Sequence, residues 1–326
     1  MYDPLTFKTI VMQKILLSFV TLLCCNSILA QNTTTLKMNL EKNKVYRLKS
    51  VSEQTISQTV NGVQQTTESK VDYTLSLKMI DATADFIITE LHFDTLITNT
   101  NTMGKVVNMS SVSEGDIKSA ETADVMSCIM NRISKNALYV KMDFTGKPFE
   151  IVNLKMLSDL VLKDTSLITL KDQTASAVKK QIINMVSDNS LKTIVGMFTW
   201  CLPGRQVSTG DIWNVTQQMN SGGMMLDIMT TYHLDRLNGN NADITVESII
   251  KAADNADPIE SGGAKVTYDD LKGLSKSTMV IDIRTGLMVE DKAKTHITGN
   301  LGVSGPGFSM QIPMDINGES KVIALQ

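Results

Sequence analysis

The sequence predicts a β-dominated α+β protein: two antiparallel β-meanders, as curved sheets or a half-barrel, packed with a central helical segment. Three observations predict it. Apolar and polar residues alternate with a period of two in the first and last thirds of the chain. The middle of the chain switches to helical spacing. An Asn61-Gly62 pair, the strongest short hairpin signal, separates two early strand-like runs.

The Thr/Ser/Gln-rich run from Val45 to Val60 is the first strand of that hairpin. In the second, Val71, Tyr73, Leu75, Leu77 and Met79 share one parity, and Lys70, Asp72, Thr74, Ser76 and Lys78 the other. Such a strand has one buried and one wet face. Further strands run from Asp85 to Ile97 and from Leu138 to Phe144. Ile117, Ala120, Val125, Cys128, Ile129 and Ile133 then recur at helical spacing, as do Ala175, Val178, Ile182 and Met185, and Leu191, Ile194, Val195 and Phe198. Asn189-Ser190 can cap the last helix and Pro203-Gly204 stops it. The two-residue period returns from Asp211, through Leu226–Asp235, Met279–Ile283 and Phe308–Ile316, with Gly302 to Gly307 as a turn.

The two strand-rich parts carry similar markers in the same order. Ala84-Asp85-Phe86-Ile87-Ile88-Thr89-Glu90 matches Ala242-Asp243-Ile244-Thr245-Val246-Glu247. Asp143-Phe144-Thr145-Gly146 matches Asp282-Ile283-Arg284-Thr285-Gly286, and Val45-Tyr46 matches Ile212-Trp213. The alternatives are a duplication of one meander unit and chance similarity among amphipathic strands. The division expected is residues 1–30 as signal peptide, 31–150 as a first meander unit with one helix, 151–204 as a helical segment and 205–326 as a second meander unit.

Lys14 is followed by the apolar run Ile15 to Cys25, then by Asn26-Ser27 and Ile28-Leu29-Ala30. That is the layout of a secretory signal with cleavage after Ala30. The rival is a lipid anchor at Cys24 or Cys25, but Leu23 and Cys24 are poor neighbours for lipid attachment. The run is shorter than the roughly 20 residues of a spanning helix, and the mature chain has no transmembrane segment. The protein is therefore expected to be exported, to the periplasm, the outer membrane or the medium. An oxidising compartment permits a bridge between Cys128 and Cys201; the alternative is two separate buried thiols.

Composition removes several functions. Lys+Arg number 31 against Asp+Glu 34 in 326 residues, so the basic footprint of a nucleic-acid binder is missing. The three histidines, His92, His233 and His296, lie on the polar parity of separate strands and have no local zinc-ligand spacing. No nucleophile elbow, phosphate loop or dinucleotide fingerprint is present. The reading is non-enzymatic and without cofactor. The one oddity is 20 methionines against 5% aromatics. Met is flexible and lines adaptable apolar pockets, or it simply fills the core. Met224, Met229, Met310 and Met314, with Trp213, are the candidate lining of an apolar cavity.

The stretch Leu202-Pro203-Gly204 to Gly210-Asp211-Ile212-Trp213, the Thr145-Gly146-Lys147 turn and the Asp282-Ile283-Arg284-Thr285-Gly286-Leu287 turn carry a resemblance. With the signal peptide and the Thr/Gln-rich hairpin, they resemble an uncharacterised exported β-rich family of Bacteroidetes-type bacteria. The resemblance implies an envelope protein and no catalytic residue. Two functions follow as expectations. One is binding of a lipid or other apolar small molecule in a Met/Leu-lined sheet cavity. The other is a structural or interaction protein of the envelope with a filled core. A cavity of several hundred cubic ångströms under the helices would separate them.

Overall fold

The computed structural model describes residues 33–221, 224–254, 256, 258–261 and 264–325. The expected signal peptide and its cleavage at Ala30 lie outside the described residues. The first half carries β1 (Thr33–Leu36), β2 (Val45–Val60), β3 (Val63–Ala82), β4 (Ile87–Thr102), β5 (Lys105–Ser110), α1 (Thr122–Ser134), β6 (Leu138–Met142) and β7 (Pro148–Ile151). The helical stretch follows with α2 (Leu154–Val161), a short 3-10 turn, α3 (Asp172–Met185) and α4 (Asp188–Thr199). The second half carries β8 (Arg205–Ser208), β9 (Ile212–Ser221), β10 (Met224–Asn238), β11 (Asn241–Ala252), β12 (Ile259–Ser261), β13 (Ala264–Asp282), β14 (Met288–Gly305) and β15 (Phe308–Leu325).

The β-dominated fold is the one expected. The two meanders, however, are one sheet. Strands β1 and β8 form a small separate pair, and the rest form a 13-stranded open sheet. Its path is β7-β6-β4-β3-β2-β15-β14-β13-β11-β10-β9, with β5 beside β4 and β12 beside β13. The join is the antiparallel pairing of β15 with β2, from Met314↔Gln58 to Leu325↔Arg47. Adjacency in the two halves is the same: β2-β3-β4-β6-β7 repeats as β9-β10-β11-β13-β14. The marker segments fall at matching places, at the openings of β4 and β11 and in the turns after β6 and β13.

Those two turns hold the chain's first described segment. Asp143 Oδ1 accepts the Thr145 N–H at 2.8 Å, and Asp282 Oδ1 accepts the Arg284 N–H at 2.9 Å. Both close on a glycine in the left-handed region, Gly146 at φ 84 and Gly286 at φ 74. Between them runs Leu36 to Leu40. The Met38 N–H donates to Phe144 O at 2.8 Å and the Asn39 N–H to Thr285 O at 2.9 Å. Leu36, Met38 and Leu40 are buried in the main core.

Two cores lie on the apolar parity. The larger joins the helices to the sheet, with Val125, Met126, Ile129 and Ile133 of α1 against Leu48, Leu75, Leu91, Ile244 and Ile281. The smaller holds Leu226, Ile228, Ile250, Leu271, Ile297, Met314 and Ile316. Helix α4 touches both β7 and β9, the two ends of the sheet path. Among the described residues no helix is long and apolar enough to cross a membrane.

Local chemistry shifts three expected boundaries. The first helix starts at Thr122 rather than near Ile117. Asp116 Oδ1 accepts the Lys118 N–H and Ser119 Oγ the Glu121 N–H, so side chains occupy the backbone that a helix would use. The cap of α4 is Ser187, whose Oγ accepts the Ser190 N–H at 3.3 Å, in place of Asn189-Ser190. The turn expected over 302–307 is only Pro306-Gly307, because β14 continues to Gly305 opposite Phe308.

Gly286 offers a direct test. A Cβ there would lie 2.4 Å from Lys37 O, whereas one at Gly62, also at positive φ, meets nothing within 4 Å. Gly62→Ala should cost about 1 kcal/mol from backbone conformation alone. Gly286→Ala should cost about 3 kcal/mol or more, because the turn must also leave the Lys37 carbonyl. Equilibrium urea unfolding of the two variants measures the difference.

Candidate functional site

The strands are long enough to carry several complete rows of side chains across the sheet. On the polar parity these rows line an open trough of about 1320 Å³ that crosses β4, β3, β2, β15, β14 and β13. One row reads Asn101, Glu68, Thr55, Asn317, His296 and Leu274, each opposite the next. Beyond Leu274 the same row continues through Ile249 and Met229. These three apolar side chains are exposed, at 43%, 53% and 45%. The row is polar at one end and apolar at the other.

The adjacent row is made of charges: Lys70, Glu53, Glu319, Lys294, Lys276 and Glu247. It resolves into three ion pairs. Lys70 Nζ lies 2.6 Å from Glu53, Lys294 Nζ 2.9 Å from Glu319, and Lys276 Nζ 2.7 Å from Glu247. The Glu53 carboxylate holds the Lys70 ammonium above its ordinary value through that hydrogen bond. Exposed pairs of this kind add little to stability, because water screens them. Their consequence is electrostatic: the row presents many donors and acceptors and no net charge.

The histidines do not converge. His92 Nε2 is 3.0 Å from Glu90, His233 Nδ1 is 2.6 Å from Asp235, and His296 Nε2 is 2.8 Å from Asp315. Among the described residues no three His, Cys, Asp or Glu side chains are grouped to hold a metal ion.

Trp213, Met314, Met310 and Met229 lie in different places. Trp213 is buried in the larger core, stacked on Tyr232 with ring centroids 5.4 Å apart, and its Nε1–H donates to Cys201 O at 2.9 Å. Met314 is buried in the smaller core. Met310 is half-buried farther along β15, and Met229 is exposed on the trough side. Met224 opens β10 opposite Ser221. The trough residues were missed because residues on the polar parity read as ordinary solvated positions; only their shared register marks them out.

Cys128 and Cys201 are free, buried thiols. Burial pushes the Cys201 thiol up to about 12, so it is neither thiolate nor nucleophile at neutral pH. Nearby on β14, Asp291 stands on the apolar parity between Val322 and Met279. Among the described residues its buried Oδ1 has no hydrogen-bond partner. Burial raises its carboxyl above the usual carboxylate range, and the Ser277 hydroxyl and the Lys292 N–H only partly oppose this.

Residues 84–288 match the family of unknown function DUF6263, and the chain belongs to it. The Gly210-Asp211-Ile212-Trp213 and Asp282–Leu287 segments both lie within the match. No curated protein matches the chain. Among solved structures, an outer membrane channel from Pseudomonas putida F1 is 10% identical, with 88% of this chain and 97% of that one covered and a TM-score of 0.25. Pseudomonas aeruginosa OccK11 (OpdR) is 6% identical over 88% and 99%, with a TM-score of 0.19. Scores this low carry no argument about this chain.

Asp291 yields a pH prediction. The folded chain holds this proton more tightly than the unfolded chain does. As pH rises from the ordinary carboxylate value through the raised folded value, the unfolded state releases its proton first and stability falls. Asp291→Asn removes that loss. The variant should melt higher than the parent at neutral pH, and the gap should close as pH falls below the ordinary value. Thermal melts of both proteins across the acid range measure it.

Proposed function

We propose that this DUF6263 member is an exported, non-enzymatic interaction protein of the bacterial cell envelope, and that its sheet trough receives a neutral polymer rich in hydroxyl and amide groups. The observation that carries the reading is the pairing of the two rows. One offers Asn101, Thr55 and Asn317 as neutral donors and acceptors, with Glu68 accepting from Asn101 and His296 bonded to Asp315; the other holds its charges in three cross-strand pairs. A charged polymer would have to break those pairs. A neutral one meets them intact.

Leu274, Ile249 and Met229 supply an apolar floor at one end of the row. A glycan with N-acetyl groups has the matching chemistry, with polar edges and apolar ring faces. Export follows from the charged, apolar and small-residue order of the first thirty residues. The Gly-Asp-x-Trp and Asp-x-x-Thr-Gly-Leu segments support kinship with exported proteins of Bacteroidetes-type bacteria. The apolar-ligand reading has less support, because Trp213 and Met314 are buried in different cores and Met229 is exposed.

Titration calorimetry with soluble peptidoglycan fragments tests the trough. The parent should bind, and Asn317→Lys, which adds an unpaired charge at the centre of the row, should weaken binding by about tenfold or more, some 1.4 kcal/mol, with an unchanged melting curve. Absence of binding by the parent would sink the glycan reading. A solvent extract carrying one lipid per chain by mass spectrometry would restore the apolar ligand in its place.

A further inference from the structure

Strand β9 is the end of the sheet path and has its outer edge free over most of its length. The direction of its backbone groups follows from the ladder. Leu234 exchanges both of its backbone bonds with Gly210 and Asp211. In an antiparallel pair such bonds fall on alternate residues. Trp213, Val215, Gln217 and Met219 therefore bond to β10, and Asn214, Thr216 and Gln218 turn their N–H and C=O outward. The Ile212 carbonyl, of the same parity, accepts from Arg205 Nη2 at 3.4 Å. Among the described residues no backbone group reaches the outward row of Asn214, Thr216 and Gln218. Their side chains are exposed.

Natural sheets blunt such edges with lysine, proline, bulges or short strands. This one has none of these. The strand Ile212–Ser221 has ten residues with no charge and no proline, and its register to β10 is unbroken from Ile212 to Ser221. The counterpart of β9 in the first half is β2, and the same edge of β2 is occupied by the antiparallel strand β15. The repeat thus fills this edge once and leaves it open once.

We infer that the β9 edge is a docking strand for a second copy of this chain, paired antiparallel β9 to β9 about a two-fold axis. A neutral strand suits self-pairing, since a charge at the axis would meet its own copy. With the axis at Thr216, that residue faces its own copy and Asn214 faces Gln218 of the partner subunit, and each of these side chains carries both a donor and an acceptor. The side chains of Asn214 and Gln218 are already laid along the sheet, toward Thr231 at 2.8 Å and Asp227 at 2.9 Å, so the backbone row is left uncovered. A two-fold pairing is closed and gives a dimer, whereas pairing with a different edge would extend into filaments.

Sedimentation velocity of the purified protein, with two opposite charges placed on the edge, tests this. The parent should be a dimer at roughly 100 μM and dissociate on dilution. Thr216→Lys and Thr216→Glu should each be monomeric, with dissociation constants raised tenfold or more. Their equimolar mixture should recover the dimer, because the new charges then attract. Thr216→Pro removes an outward N–H that no ladder bond uses, so it should be monomeric with an unchanged melting curve. A parent that stays monomeric at that concentration overturns the inference. So does a dimer that survives both charged variants, or a mixture that fails to recover it.

Discussion

The pairing of β15 with β2 is the constraint on which the rest of the sheet depends. It joins strands more than 250 positions apart in sequence, from Met314↔Gln58 to Leu325↔Arg47. Without it there would be two meanders, each with an open edge, and no row longer than one half. The junction also sets Glu53 directly opposite Glu319, and the next step sets Lys294 opposite Lys276. Like charges so placed are destabilising by themselves. The row tolerates them because each charge has an opposite on its other side, Lys70 for Glu53 and Glu247 for Lys276. Each of the three opposite pairs lies within one half, and the junction itself brings together the like charges Glu53 and Glu319.

Much of this was legible in the sequence, and the limits are physical. Long amphipathic strands such as β3 and β15 announce themselves because one face is apolar over several successive alternations, as at Val71 to Met79 and Phe308 to Ile316. The matching markers read correctly as places in a pattern, since the turns at Asp143 and Asp282 do the same local work with the same atoms. The β15–β2 junction was not legible. Its central residues, Ser52 to Gln54 and Gly318 to Ser320, are serine, glutamate, glutamine and glycine, with no composition that names a partner. Short strands such as β5, β7 and β8 carry too few residues for a period to show. The cap of α4 was misplaced because Ser187, Asn189 and Ser190 are all good caps, and only geometry chooses.

The methionines illustrate how composition can mislead about function. Met38, Met126, Met142 and Met279 are buried in the larger core and Met314 in the smaller. With only 5% aromatics the chain has few large rigid fillers. An unbranched side chain with three rotors fills the irregular space between helices and a twisted sheet. The same property that suits Met to an adaptable pocket suits it to that task. Abundance could not decide between them, and the methionines named here are divided between two cores.

The trough sits where it does for a reason visible on the opposite face. The rows that carry Glu53, Thr55, Asn317 and Lys294 on one side carry Ser52, Gly318, Ser320, Ala293 and Thr295 on the other. One such row runs Gly318, Thr295, Ser275, Ser248 and Thr230, with Thr295 Oγ1 donating to Ser275 Oγ at 2.8 Å. It lies between the two cores and buries little apolar area. At roughly 25 cal/mol per Å² these rows add little to stability through burial. The ends of the strands hold the fold, through Leu75 and Ile281 at one end and Ile297 and Met314 at the other. The middle is correspondingly free of core demands on both faces. That is the part of a sheet whose side chains can be set by recognition rather than by packing, and it is where the Asn101–Leu274 row and the paired charges are found.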